Sequence, residues 1–219
     1  MIKRCTAWGA TIGLSAVLLS SALANTTLFN NDKVLLLGTV TLTVNSVSPG
    51  GAVQITYNTN ALTVLAGVYN LTTNAPHNQA FCVDIDRVMH LNQSYTYELW
   101  LAYGRVGALL RLKDSFLTGS DLNNKGRAFQ IAMWELAHDH SLSNPIDLSG
   151  GKFRYNQNAT VKSYANSLLS ATAGQADYYY FLRGVGGLQG QNLAMVPEPA
   201  SLIALGTGFV GLLARRRRR

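Results

Sequence analysis

The sequence predicts an α+β fold: a β-sandwich or barrel-like domain with a helical insertion, plus a targeting segment at each end. Three observations lead there. Runs rich in β-branched residues, some alternating apolar with polar, fill residues 33–85 and return after residue 176. Between them the apolar spacing changes to that of helices. The two ends have the composition of export signals.

The N-terminus, MIKRCTAWGATIGLSAVLLSSALA, starts basic at Lys3 and Arg4, continues apolar over residues 12–19 and reaches Ala22-Leu23-Ala24. This is the pattern of a secretory signal peptide cut after Ala24, so residues 1–24 are set apart from the fold. A retained membrane anchor fits less well, because the apolar run is short and ends in small residues. Cys5 leaves with the signal. Cys82 is then the one cysteine of a mature protein in an oxidising compartment.

The middle segment, residues 25–196, is expected to form one domain. Residues 33–45 (KVLLLGTVTLTVN) and 52–58 (AVQITYN) read as two strands separated by a Pro49-Gly50-Gly51 turn. Residues 62–73 form another, with a break expected at Gly67. Residues 79–85 (QAFCVDI) have the continuous apolar character of a buried strand. Residues 95–112 begin as strand and end as helix. Residues 123–139 are the clearest helix, with Phe129, Ala132, Met133 and Leu136 at helical spacing and Asp121 or Asn123 placed to cap it. A second helix over 158–174 is closed by Gly174, and DYYYFLRG and QNLAMV are late strands.

The C-terminus, VPEPASLIALGTGFVGLLARRRRR, combines Pro197-Glu198-Pro199, a charge-free apolar run over 200–214, and the block Arg215, Arg216, Arg217, Arg218 and Arg219. The run predicts a single short transmembrane helix whose arginines snorkel and stay cytoplasmic. The tail resembles the PEP-CTERM sorting signal, which has these three parts in this order at this place. The resemblance implies cleavage near Pro197-Glu198-Pro199 by an exosortase, a transient stay in the inner membrane, and delivery to the surface or extracellular matrix. It also implies a Gram-negative bacterium that makes exopolysaccharide.

Charge follows the same division. Residues 25–196 hold eleven of the eighteen Lys/Arg and ten of the eleven Asp/Glu. Of the overall excess of +7, all but +1 therefore belongs to the processing segments. No nucleic acid is expected as a partner, although a five-arginine tail is often read that way.

A second resemblance concerns Cys82. FCVDI at 81–85 and FQIAMWELA at 129–137 are similar to the two halves of the thioester domain of bacterial surface adhesins. The matching residues are Phe81, Cys82, Val83 and Asp84 on the strand and Phe129, Gln130, Met133 and Trp134 on the helix. The motif covers residues 79–140 and implies an internal thioester joining Cys82 to Gln130. Such a bond needs an apolar wall against water, which Phe81, Phe129, Met133 and Trp134 would supply. It needs a rigid strand and helix to hold the reacting groups. His138, two turns beyond Gln130 on the same helical face, is a candidate general base for an incoming lysine amine or sugar hydroxyl. The expected partners are thus a protein or exopolysaccharide bound covalently. The reaction happens once, without turnover, so the protein is not read as an enzyme, and neither metal nor cofactor is expected.

Two other readings stay open. In one, Cys82 simply packs in the core of a non-covalent structural or carbohydrate-binding matrix protein, with Trp100 and Tyr178-Tyr179-Tyr180 as a stacking surface. In the other, the chain is an exported hydrolase, using Asp84 with Asp86, or Cys82 with His138. The His138-Asp139-His140 run is a weak metal pattern with no further ligand cluster beside it.

Overall fold

The computed structural model describes residues 32–139, 146–185 and 190–196. The signal-peptide site at Ala22 and Ala24, His140, and the tail with Pro197, Glu198, Pro199 and Arg215 to Arg219 lie outside them. Among the described residues no helix is long and apolar enough to cross a membrane.

The chain is rich in sheet, with a few helices. In order come β1 (Lys33–Tyr57), β2 (Asn60–Thr73), β3 (Gln79–Cys82), β4 (Ser94–Gly104), α1 (Arg105–Arg111), α2 (Lys113–Phe116), α3 (Leu122–His138), β5 (Phe153–Arg154), α4 (Ala159–Ala171), β6 (Asp177–Gly184) and β7 (Leu193–Met195). All strand pairs are antiparallel. The hydrogen-bonded order is β2-β3-β7-β6-β4-β1-β5, and β1 also pairs with β2, so the pairing returns on itself. Strand β1 makes this closure possible by serving two partners. Its first half lies along β4, from Lys33 opposite Ala102 to Thr43 opposite Ser94. Its second half lies along β2, ending with Tyr57 opposite Asn60.

The turn expected at Pro49-Gly50-Gly51 is instead a bulged stretch within one long strand, with register shifts between Val44 and Ser46 and between Val47 and Gly50. Likewise Gly67 does not break β2. It faces Gly50 across the ladder, and a Cβ on either would strike the other strand's backbone. Glycine is required there because two backbones cross too closely for a side chain. Helix α3 docks on the same place: a Cβ on Gly126 would run into the Pro49 carbonyl, and Asn123 Oδ1 accepts from the Gly50 N–H at 3.2 Å.

Neither expected cap of α3 acts as one. Asp121 stands at the N-cap with φ 62°, but its side chain bonds Asn124 Nδ2 rather than a helix N–H. Helix α4 has a true cap, with Asn158 Oδ1 accepting from Val161 N–H at 3.0 Å. The helices α1, α2 and α3 all fall between β4 and β5. Helix α3 packs on β1, β2 and α4, and its residues Ala128 to Trp134 are essentially solvent-free. The apolar face anticipated from Phe129, Met133 and Leu136 therefore became burial on nearly all sides, Gln130 and Glu135 included.

Candidate functional site

Strand β3 is short, and its last residue is Cys82. It pairs with β7 on one side, Phe81 opposite Ala194 and Cys82 opposite Leu193. On its other side β2 reaches only as far as Ala80. The expected strand to Ile85 stops because the chain turns at Asp84 to be pinned by the segment before β7. Asp84 Oδ2 accepts from Asn192 N–H at 3.0 Å and lies 3.4 Å from Arg87 Nε, while Gln191 Nε2 donates to the Arg87 carbonyl at 2.7 Å.

Where β2 falls away, α3 supplies Gln130. Its Oε1 accepts from the Cys82 backbone N–H at 3.0 Å, and its Nε2 donates to the Cys82 carbonyl at 2.6 Å. The side-chain amide thus completes a ladder step that no strand provides. Both residues are fully buried. The Cys82 thiol donates to the Asp84 carbonyl at 2.8 Å, and Cys82 forms no disulfide. Both ends of the Gln130 amide are therefore held by the backbone of the residue that carries the sulfur.

The surrounding wall is apolar. Phe81 and Phe129 stack with ring centroids 4.4 Å apart, and Phe116 approaches Phe129 at 6.2 Å. Met133 and Trp134 are buried as well, Trp134 meeting Phe153 at 6.1 Å. Of the expected wall, Phe81 and Phe129 form an observed ring pair, whereas the ring contact of Trp134 is on the β5 side.

His138, the last residue of α3, is half-buried, with its Nε2 solvent-free. Its Nδ1 lies 3.2 Å from the Tyr57 hydroxyl, which in turn donates to Asp86 Oδ2 at 3.1 Å. The Tyr57 and His138 rings meet edge-on at 4.8 Å. Burial pushes the imidazole down to about 4, against the opposing pull of Asp86 and the Val83 backbone. Burial and the Asp86 charge push the Tyr57 phenol up to about 12. Composition and spacing gave no hint of Tyr57, since an end-of-strand tyrosine looks like any core residue.

One turn earlier, Glu135 is buried with Oε1 accepting from Asp147 N–H at 3.0 Å and Oε2 without a hydrogen-bond partner. Burial first, then the Asp139 and Asp147 charges, raise its carboxyl to about 7 against that one hydrogen bond. Glu135 was not singled out from the sequence; its signal was an acid inside an otherwise apolar helical face.

The weaker candidates separate in space. Asp84 bonds Asn192 and Arg87, whereas Asp86 bonds Tyr57, so the two carboxylates serve different partners. Asp139 turns from His138 to accept from the Lys152 N–H at 2.7 Å and from Phe153 N–H. Among the described residues no group of three His, Cys, Asp or Glu side chains is arranged to hold a metal. Of the three tyrosines in β6, only Tyr178 is exposed, stacked on Tyr103 at 4.9 Å; Tyr179 and Tyr180 are buried. Trp100 donates to Glu98 Oε2 at 2.9 Å, with the Lys33 ammonium 5.1 Å from its ring centroid.

Residues 196–219 match the family described as the PEP-CTERM protein-sorting motif. No curated protein and no solved structure matches the chain. The motif marks an exported protein, sorted by an exosortase toward the cell envelope or surface.

Proposed function

We propose that this exosortase substrate is a surface or matrix protein of a Gram-negative bacterium that couples covalently to a partner through a Cys82–Gln130 thioester. The observation that carries the reading is the two-point hold of the Gln130 amide on the Cys82 backbone, at 3.0 and 2.6 Å.

The chemistry follows from that hold. Sulfur attacks Gln130 Cδ, and the negative charge that develops on Oε1 is met by the Cys82 N–H already donating to it. The C–Nε2 bond breaks, and Nε2 leaves as ammonia with its own two hydrogens and the thiol proton. A thioester remains, walled from water by Phe81 and Phe129. A lysine amine or sugar hydroxyl later attacks the same carbon, giving an amide or ester on Gln130 and returning the thiol, with His138 taking the proton of the nucleophile. Each molecule reacts once. The full burial of both residues means that the partner reaches the bond only when the domain opens locally.

A second reading is favoured by the same contact. A glutamine that satisfies a strand's backbone N–H and C=O is useful as structure alone. In that case the protein is a non-covalent matrix component.

Intact mass decides between them. The chain, purified without amines, is weighed before and after methylamine. A mass short by one ammonia, converted to one added methylamine and abolished by Cys82→Ala, supports the thioester. An unmodified mass that ignores methylamine leaves the structural reading.

A further inference from the structure

Strand β5 pairs with β1 only at Thr56 and Tyr57, so the same edge of β1 is without a strand over residues 52–54. A cavity of about 160 Å³ opens there, between β1, helix α3 and the segment that leads into α4. Its lining holds one charged side chain, Arg127, and no carboxylate. Arg127 is half-buried. Its Nη1 donates to Asn124 Oδ1 at 3.1 Å, whereas Nε is solvent-free and has no hydrogen-bond partner. Among the described residues no Asp or Glu lies within ion-pair distance of it. The guanidinium rests on bare backbone: a Cβ on Gly51 would come within 2.5 Å of Nη2. The rest of the lining is of two kinds. Val53 and Val161 are buried and form an apolar floor, while Gln54 and Gln157 are exposed and bring amides to the rim. Burial raises the Tyr155 phenol and the Arg127 charge opposes that rise, so these two lining groups are near neighbours.

We infer that this cavity is a non-covalent binding site for a small sugar acid, whose carboxylate is gripped by the Arg127 guanidinium. A guanidinium presents its N–H donors as a planar fork that fits a carboxylate at two points. A phosphate, with more charge, would call for a second cation, and the lining has none. The neutral part of the ligand is set by the other residues. An amide both donates and accepts, as a sugar hydroxyl does, so Gln54 and Gln157 suit ring hydroxyls. Val53 and Val161 suit the C–H face of the ring. At about 160 Å³ the cavity is smaller than the clefts that take drug-sized ligands, so it holds one sugar unit and not a longer chain. Neither Cys82 nor Gln130 belongs to the lining, and the site does not depend on the thioester.

The test is a titration of the ¹⁵N-labelled full chain with sodium glucuronate, read by NMR at neutral pH and fixed ionic strength. The Arg127 Nε–H signal, assigned with Arg127→Lys, and the side-chain amides of Gln54 and Gln157 should shift saturably at millimolar glucuronate. Glucose should leave them in place. Arg127→Lys keeps the charge and loses the fork, and should weaken binding about tenfold. Gln157→Ala, at an exposed position, should weaken it several-fold without touching the core. A Cys82→Ala chain should bind as well as the unmutated one, which separates this site from the thioester. Signals that stay fixed, or that move equally with sodium chloride, would overturn the site. Undiminished binding in both Arg127→Lys and Gln157→Ala would overturn the residues assigned to it. Acetate binding as tightly as glucuronate, or inorganic phosphate binding more tightly, would overturn the ligand class.

Discussion

Replacing Gln130 by leucine isolates the contact on which the site is built. The side chain keeps its approximate volume and loses its amide. The Cys82 N–H and C=O, buried at zero exposure, lose the partners they have at 3.0 and 2.6 Å. Each buried backbone group without a partner costs about 1–3 kcal/mol. Gln130→Leu should therefore cost about 2–6 kcal/mol, a large share of the roughly 5–15 kcal/mol that a domain possesses. Urea unfolding measures it, with an unchanged m-value as the check that the same surface is exposed. The comparison is best made in a Cys82→Ala background, where no thioester forms and only the backbone contact is at stake. A loss below about 1 kcal/mol there would refute the accounting. Gln130→Glu sharpens the test. One carboxyl oxygen still accepts from Cys82 N–H, but the other faces the Cys82 carbonyl and fits only as O–H. The folded form then favours the protonated acid, so stability present at low pH is lost as pH rises.

Two further groups give opposite pH slopes. Glu135, raised to about 7, stabilises the fold relatively below its unfolded value near 4.3 and less as pH climbs through about 7. Glu135→Gln should remove that loss and stabilise the protein at pH 8 by about 1–3 kcal/mol, read from urea midpoints. His138, lowered to about 4, favours the fold above its unfolded value near 6.5 and less as pH falls toward about 4. The two effects offset each other between about pH 4.5 and 6.5, so the unmutated protein should be nearly level there, whereas His138→Leu should lose stability and Glu135→Gln gain it as pH rises across that range. At the strand crossing, Gly126→Ala places a Cβ on the Pro49 carbonyl and should lower stability by about 1–3 kcal/mol, by a shift of α3 that thermal unfolding would register.

Much of this was legible in the residues. The pairing of Cys82 with Gln130 came from the resemblance to the thioester domain, and the Gln130 amide is hydrogen-bonded to the Cys82 backbone. Strand β6 matches DYYYFLRG residue for residue. What escaped was non-local. The run through Pro49-Gly50-Gly51 reads as a turn, because nothing nearby in sequence reveals that Gly67 and Gly126 press on it. The two-residue β5 is too short for any periodicity. Tyr57 joined the site only through a register that brings the end of β1 beside α3, 81 residues away.

Strand β7 has one more consequence. It enters between β3 and β6, so the ring of strands lacks a member until the chain is present through Met195. A polypeptide threaded through a membrane from its N-terminus would carry most of its sheet across before it could be finished. Only Val196 separates β7 from Pro197, where the sorting motif takes over. One residue spans at most about 3.6 Å. The sorting motif therefore begins almost against the last strand, and an exosortase that processes it works beside a sheet that is already complete.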